Sequence, residues 1–178
     1  MKTLAIIILS IVIVPLGIHG QKQIQIKNQR FDVYGVKSGV TEQRSTKQYM
    51  VELNYETGEF IAAIDMQNIR LIPDSTLERT EKVRDYFRIE GFFPINKILY
   101  DKNTDQQYQI ELNIINQGKT FPAIFDFIVK NYTGTGNDFH YFNGTATINL
   151  EDFIKEGTYG FDPQIKISIS FQAYIIGG

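Results

Sequence analysis

Over the last seventy or so residues, apolar and polar side chains alternate almost without error. In Ala123-Ile124-Phe125-Asp126-Phe127-Ile128-Val129-Lys130, one face carries Ala, Phe, Phe and Val, and the other Ile, Asp, Ile and Lys. In Gln164–Ala173 the division is complete: Ile165, Ile167, Ile169, Phe171 and Ala173 oppose Gln, Lys, Ser, Ser and Gln. Successive strand side chains point to opposite faces, so this pattern describes sheet with one wet side and one dry side. The dry side is bulky and carries no reactive group, which suits a container better than a catalyst.

Upstream, Tyr49, Val51, Leu53 and Tyr55 share one face, Glu56-Thr57-Gly58-Glu59 forms a turn, and Phe60, Ala62, Ile64 and Met66 share the next face. Two alternating runs around a short glycine-containing loop predict a hairpin. Ser75-Thr76-Leu77-Glu78 matches a capping box and predicts one helix, running to about Ile89 and ending at Gly91. Val83, Tyr86 and Phe87 would face the sheet from it. Further strands are expected at Ile95–Tyr100, around Tyr108–Ile114, from Pro122 onward, after a turn at Asn143-Gly144, and at Gln164–Ala173. Residues 21–48 are the least legible: Gln23–Lys27 alternates like a first strand, and Ser38–Lys47 reads as a polar connection. About eight strands, one short helix and no repeat predict an all-β antiparallel barrel or sandwich.

Met1–Gly20 has the form of an export signal: Lys2, then a nearly all-aliphatic run from Leu4 to Val14, then Pro15, Gly17 and Gly20. Cleavage after Gly20 would leave residues 21–178 as one domain. The alternative is a retained anchor, but the uncharged run from Thr3 to Gly20 only reaches the lower edge of a membrane span. We expect no integral span after cleavage, and a periplasmic or secreted location. The chain has no cysteine, so neither a lipoprotein anchor nor a disulfide framework is available. A net charge of −2 without a Lys/Arg cluster argues against a nucleic-acid partner.

The usual catalytic sets are missing. His140 has only Asp138 near it, a poor metal set best taken as a loop or rim histidine. There is no Gly-x-Ser-x-Gly elbow, and Gly134-Thr135-Gly136 lacks the P-loop lysine. Glu151 and Asp152 would face opposite ways on a strand. Asn131-Tyr132-Thr133 and Asn143-Gly144-Thr145 have the form of glycosylation sequons but suit turn chemistry in a bacterial export. No catalytic residue, metal or cofactor is expected.

Three blocks give the stretch from about residue 49 to 174 a family likeness. They are Val83-Arg84-Asp85-Tyr86-Phe87 with Gly91-Phe92-Phe93-Pro94; Leu112-Asn113-Ile114 with Gly118-Lys119-Thr120-Phe121; and Ile148–Ile154 with Ile165–Ile169 and Ala173. In order and spacing the chain resembles the YceI-like polyisoprenoid-binding proteins. It departs from them between Gln21 and Tyr49, where the family's serine-bearing strand and Val-x-His segment have no counterpart. The resemblance implies an eight-stranded lipocalin-like barrel whose apolar interior holds an isoprenoid chain, such as a polyprenyl or quinone tail. The expected lining is Phe60, Ile64, Leu112, Phe125, Phe127, Ile167, Ile169 and Phe171, although core packing would place the same residues there. The rival function is a non-catalytic structural or interaction barrel filled by its own side chains. A hydrolase or isomerase acting on a bound lipid is a further rival, which the missing nucleophile set disfavours.

Overall fold

A computed structural model describes residues 23–65, 69, 86–99, 104–116, 118–133, 138–152 and 160–176. The signal segment, the capping box at Ser75–Glu78 and Gly134–Gly136 lie outside them.

Nine strands form one antiparallel sheet: β1 Gln23–Lys37, β2 Val40–Thr46, β3 Tyr49–Leu53, β4 Glu59–Asp65, β5 Tyr86–Phe92, β6 Gln106–Asn116, β7 Lys119–Tyr132, β8 Phe139–Asn149 and β9 Gln164–Ile176. Their order across the sheet is β2-β1-β9-β8-β7-β6-β5-β4-β3. The sheet curls until β3 approaches β1. There the Tyr49 hydroxyl lies 2.9 Å from the Ser170 carbonyl and 3.2 Å from that of Arg30, and its ring meets Phe31 edge-on. Side chains, rather than a ninth ladder, join the two regions. Burial pushes the Tyr49 hydroxyl pKa up, so it remains a neutral donor.

Strand count is the first correction, nine rather than eight. Two strands went unrecognised. β2 follows β1 through a tight turn, Ser38-Gly39, with both residues at positive φ (51° and 78°) and Lys37 paired with Val40. That geometry is the mirror-image turn that fits strand twist, here built without the usual Asn-Gly. Most β2 side chains are exposed or half-buried, so no apolar period betrays the strand. β5 occupies what was expected to be the end of the helix. Phe87 and Ile89 point inward, while Arg88 and Glu90 point out and pair at 2.7 Å. The helix-like spacing of Val83, Tyr86 and Phe87 therefore ran into a period-two pattern, and sheet pairing on both sides prevailed.

Three expected local features also change. Ile95–Lys97 is a single 3-10 turn instead of strand. Asn143-Gly144 lies inside β8. Glu151 and Asp152 belong to a 3-10 turn, Leu150–Asp152. Gly144 has a packing role: the Phe127 ring lies over it, and any added Cβ would overlap that ring.

On the outer face of β1, Asp32 is buried beneath neighbours. Burial raises its carboxyl pKa, but hydrogen bonds from Arg30, Ser45 and Gln43 outweigh that and hold it below the usual carboxylate range.

Candidate functional site

The candidate site is the interior of the curled sheet. Inward positions follow from the two-residue period: Phe60, Ala62 and Ile64 on β4; Ile110, Leu112 and Ile114 on β6; Phe125, Phe127 and Val129 on β7; and alternate residues Ile165–Ala173 on β9. Among the described residues, the inward faces of β4, β6, β7, β8 and β9 carry one charged side chain, the exposed Lys119 at the very start of β7. All eight expected lining residues are inside, each at most 1% exposed.

They fall into two groups. Phe60, Phe125, Phe127 and Phe171 belong to an aromatic cluster completed by Phe93 and Phe142. Phe60 stacks on Phe171 at 5.9 Å, and Phe171 on Phe142 at 4.8 Å. Phe93 meets Phe142 edge-on at 5.3 Å and Phe127 at 4.5 Å, and Phe127 stacks on Phe125 at 5.9 Å. Such contacts each contribute about 0.5–1.5 kcal/mol beyond burial. The other group is aliphatic. Leu112 pairs with Ala123 across β6 and β7, and Ile167 with Ala146 across β9 and β8. Ile169 pairs with Gly144 on one side and Phe31 on the other, while Ile64 pairs with Phe87.

Phe93 was missed as a lining candidate because it lies just beyond β5, outside any alternating run. Its position depends on the β3–β4 turn. The Phe93 N–H donates to the Gly58 carbonyl at 2.7 Å, and Gly58 has φ +78°. Asn54 shapes that turn by accepting from the N–H groups of Glu56 and Thr57. The signal that could have marked Phe93 was the adjacent pair Phe92-Phe93, of which Phe92 is exposed and Phe93 buried.

His140 is also corrected: it is an interior residue of β8, 4% exposed, and not a rim or loop histidine. Its Nδ1 lies 2.8 Å from the Tyr55 hydroxyl, and the two rings stack at 5.7 Å. Burial pushes the imidazole pKa down to about 4, against a smaller opposing effect of Asp138, so it is neutral at physiological pH. Its ladder partner Asn131 is buried too and donates to the Leu99 carbonyl. Polar groups therefore gather at this end of the interior, while Asn116 is buried at the opposite end. The described residues hold no group of three or more His, Cys, Asp or Glu suited to a metal. The chemistry on offer is apolar packing with one neutral hydrogen-bonding cluster.

At the Asn116 end, a cleft of about 640 Å³ opens beside the aliphatic group, between the first half of β7 and the last residues of β8.

No family model matches the chain, and no curated protein matches it. Among solved structures it is similar to a polyisoprenoid-binding domain from Saccharophagus degradans implicated in plant cell wall breakdown. The TM-score is 0.63 at 9% identity, with 87% of this chain and 98% of that chain covered. At that identity the likeness is one of fold.

Proposed function

We propose that this protein binds an apolar lipid chain, of isoprenoid type, within its curled sheet, and that it does so after export. The observation that carries this reading is the inward face running across five strands, uncharged except for exposed Lys119 at its edge. The fold likeness to a polyisoprenoid-binding domain and the resemblance of the sequence blocks support the same ligand class. A hydrocarbon needs no catalytic charge, only dry wall and a few polar groups near one end. Each buried methylene-sized unit gains roughly 0.8 kcal/mol, so a tail of about twenty carbons gains on the order of ten kcal/mol before association costs. On this reading, a polar atom of such a ligand meets the hydrogen-bonded Tyr55–His140 pair at one end. Export rests on the form of Met1–Gly20.

A second reading has a specific observation behind it. The six phenylalanine rings pack on one another at ordinary core distances, as they would in a barrel whose function lies on its surface. Equilibrium titration with all-trans-retinol, a fluorescent isoprenoid alcohol, separates the two. The container reading predicts saturable binding with competition by a long-tailed isoprenoid quinone. Absence of binding would leave the filled barrel.

A further inference from the structure

The β7–β8 ladder stops short. It runs from Tyr132 and Phe139 as far as Asp126 and Thr145, and there it ends. Continuing its register would pair Phe125 with Ala146, Ile124 with Thr147 and Ala123 with Ile148, and none of these pairs forms. Both strands nevertheless continue on their other sides: β7 stays laddered to β6 as far as Lys119, and β8 to β9 as far as Asn149. The sheet is therefore split along one line, with intact ladders on either side. Pro122 lies in the parted half of β7, where a missing amide donor is tolerated.

The split passes through the wall. The cleft of about 640 Å³ is lined by side chains from both faces of the sheet: Phe121, Ala123, Ala146 and Ile148 from the inward series, and Ile124 and Thr147 from the outward series. Burial along β7 changes at the same place. Phe125, Phe127 and Val129 are fully buried, whereas Phe121 and Ala123, on the same inward face, are only half-buried. Solvent thus reaches interior-facing positions here. On the two parted strands, the ladder partners of Leu112 and Ile167 are both alanines, Ala123 and Ala146, so the wall is thin where the interior lining begins. Outside, Ile124 is 62% exposed, an isolated apolar step at the outer lip, with Asp126, Asp152 and Lys166 around it.

We infer that the parting of β7 and β8 is a lateral port through which the hydrocarbon chain of an amphiphilic lipid enters and leaves the interior. This rests on the container reading above. The port gives that reading a path that does not require the aromatic cluster or the His140 end to open. An apolar chain lying across the lip meets Ile124 first, then Phe121 and Ile148, then the Leu112 and Ile167 walls. Its polar head stays outside among groups of both charges, including the Lys166 ammonium.

The absence of cysteine in the chain makes the test direct. In an Ile124→Cys/Thr147→Cys variant, a short bis-maleimide ties the two lips together. A Lys130→Cys/Tyr141→Cys variant carries the same bridge across a pair that is already laddered. Retinol uptake and release are followed by stopped-flow fluorescence before and after bridging. The port predicts that bridging residues 124 and 147 slows both rates about tenfold or more with the equilibrium capacity unchanged, while bridging 130 and 141 alters neither. Unchanged rates with the lips bridged and retinol still bound would overturn the port and leave the container intact. This is also the result expected if the cleft instead accepts a strand of another protein. Failure of the unbridged protein to take up retinol would remove the container reading, and the port with it.

Discussion

The rings of Phe93 and Phe127 stand edge to face, with centroids 4.5 Å apart and planes at 75°. One comes from the middle of a long alternating strand, the other from a two-residue connection held by a glycine turn. Their meeting sets the density of the interior, because Phe93 also touches Phe60 and Phe142. Phe93→Ala should therefore cost about 3–5 kcal/mol of stability, the usual range for a buried phenylalanine. In chemical denaturation the midpoint should fall. If the interior is a container, the vacated volume should leave retinol binding intact or tighter. Loss of binding in a folded Phe93→Ala protein would mean that the ring touches the ligand.

Gly144 and Phe127 should behave as one unit. A Cβ at Gly144 would come within 2.8 Å of Phe127 Cδ1 and still nearer other ring atoms. Gly144→Ala should cost about 1–3 kcal/mol by overpacking. Pairing it with Phe127→Leu should cost less than the sum of the two single changes, a coupling that a double-mutant cycle measures. Simple additivity would show that the ring moves aside without strain.

Tyr49 closes the curl by side chain alone. Tyr49→Phe keeps the ring against Phe31 but removes the hydroxyl near the Arg30 and Ser170 carbonyls. The expected cost is about 1–2 kcal/mol. Hydrogen exchange should show β3 opening more readily while β8 and β9 stay protected. Uniform loss of protection across the sheet would place the contact in the global core instead.

His140 gives the fold an acid-sensitive element. Its pKa falls from an ordinary 6.5 to about 4 in the folded protein, so between those values the unfolded chain binds the extra proton. Stability should be level above about pH 6.5 and decline as the pH drops toward 4, by on the order of 3 kcal/mol. Asp32, held below its ordinary value, acts in a separate and lower range, since its contribution is lost only as its carboxylate protonates. Urea midpoints between pH 8 and pH 4.5 check this. The slope should flatten in His140→Gln, even though that variant is less stable throughout. The same slope in His140→Gln would assign it to other groups.

Legibility in the sequence followed the contrast between faces. β7 and β9 have one wet and one dry side, so their inward residues were evident, and all eight lining candidates lie inside. β2 has hardly any dry side, and its turn uses Ser38 at positive φ, so neither period nor turn chemistry marked it. β5 was hidden because Tyr86 and Phe87 satisfy a helical spacing as well as a strand's. His140 was misplaced for a different reason. A histidine between Phe139 and Tyr141 reads as a rim residue until Tyr55 is known to cover it, and that contact joins residues 85 positions apart. The parting of β7 from β8 had no period to announce it, because both strands keep their alternation through the split.

Native mass spectrometry of gently purified protein decides whether the interior accepts a lipid chain. A lipid-holding interior should give a lipid-sized adduct on the intact chain, or one that appears when an isoprenoid quinone is added. A clean apo mass that stays unchanged after that addition would leave a barrel filled by its own side chains.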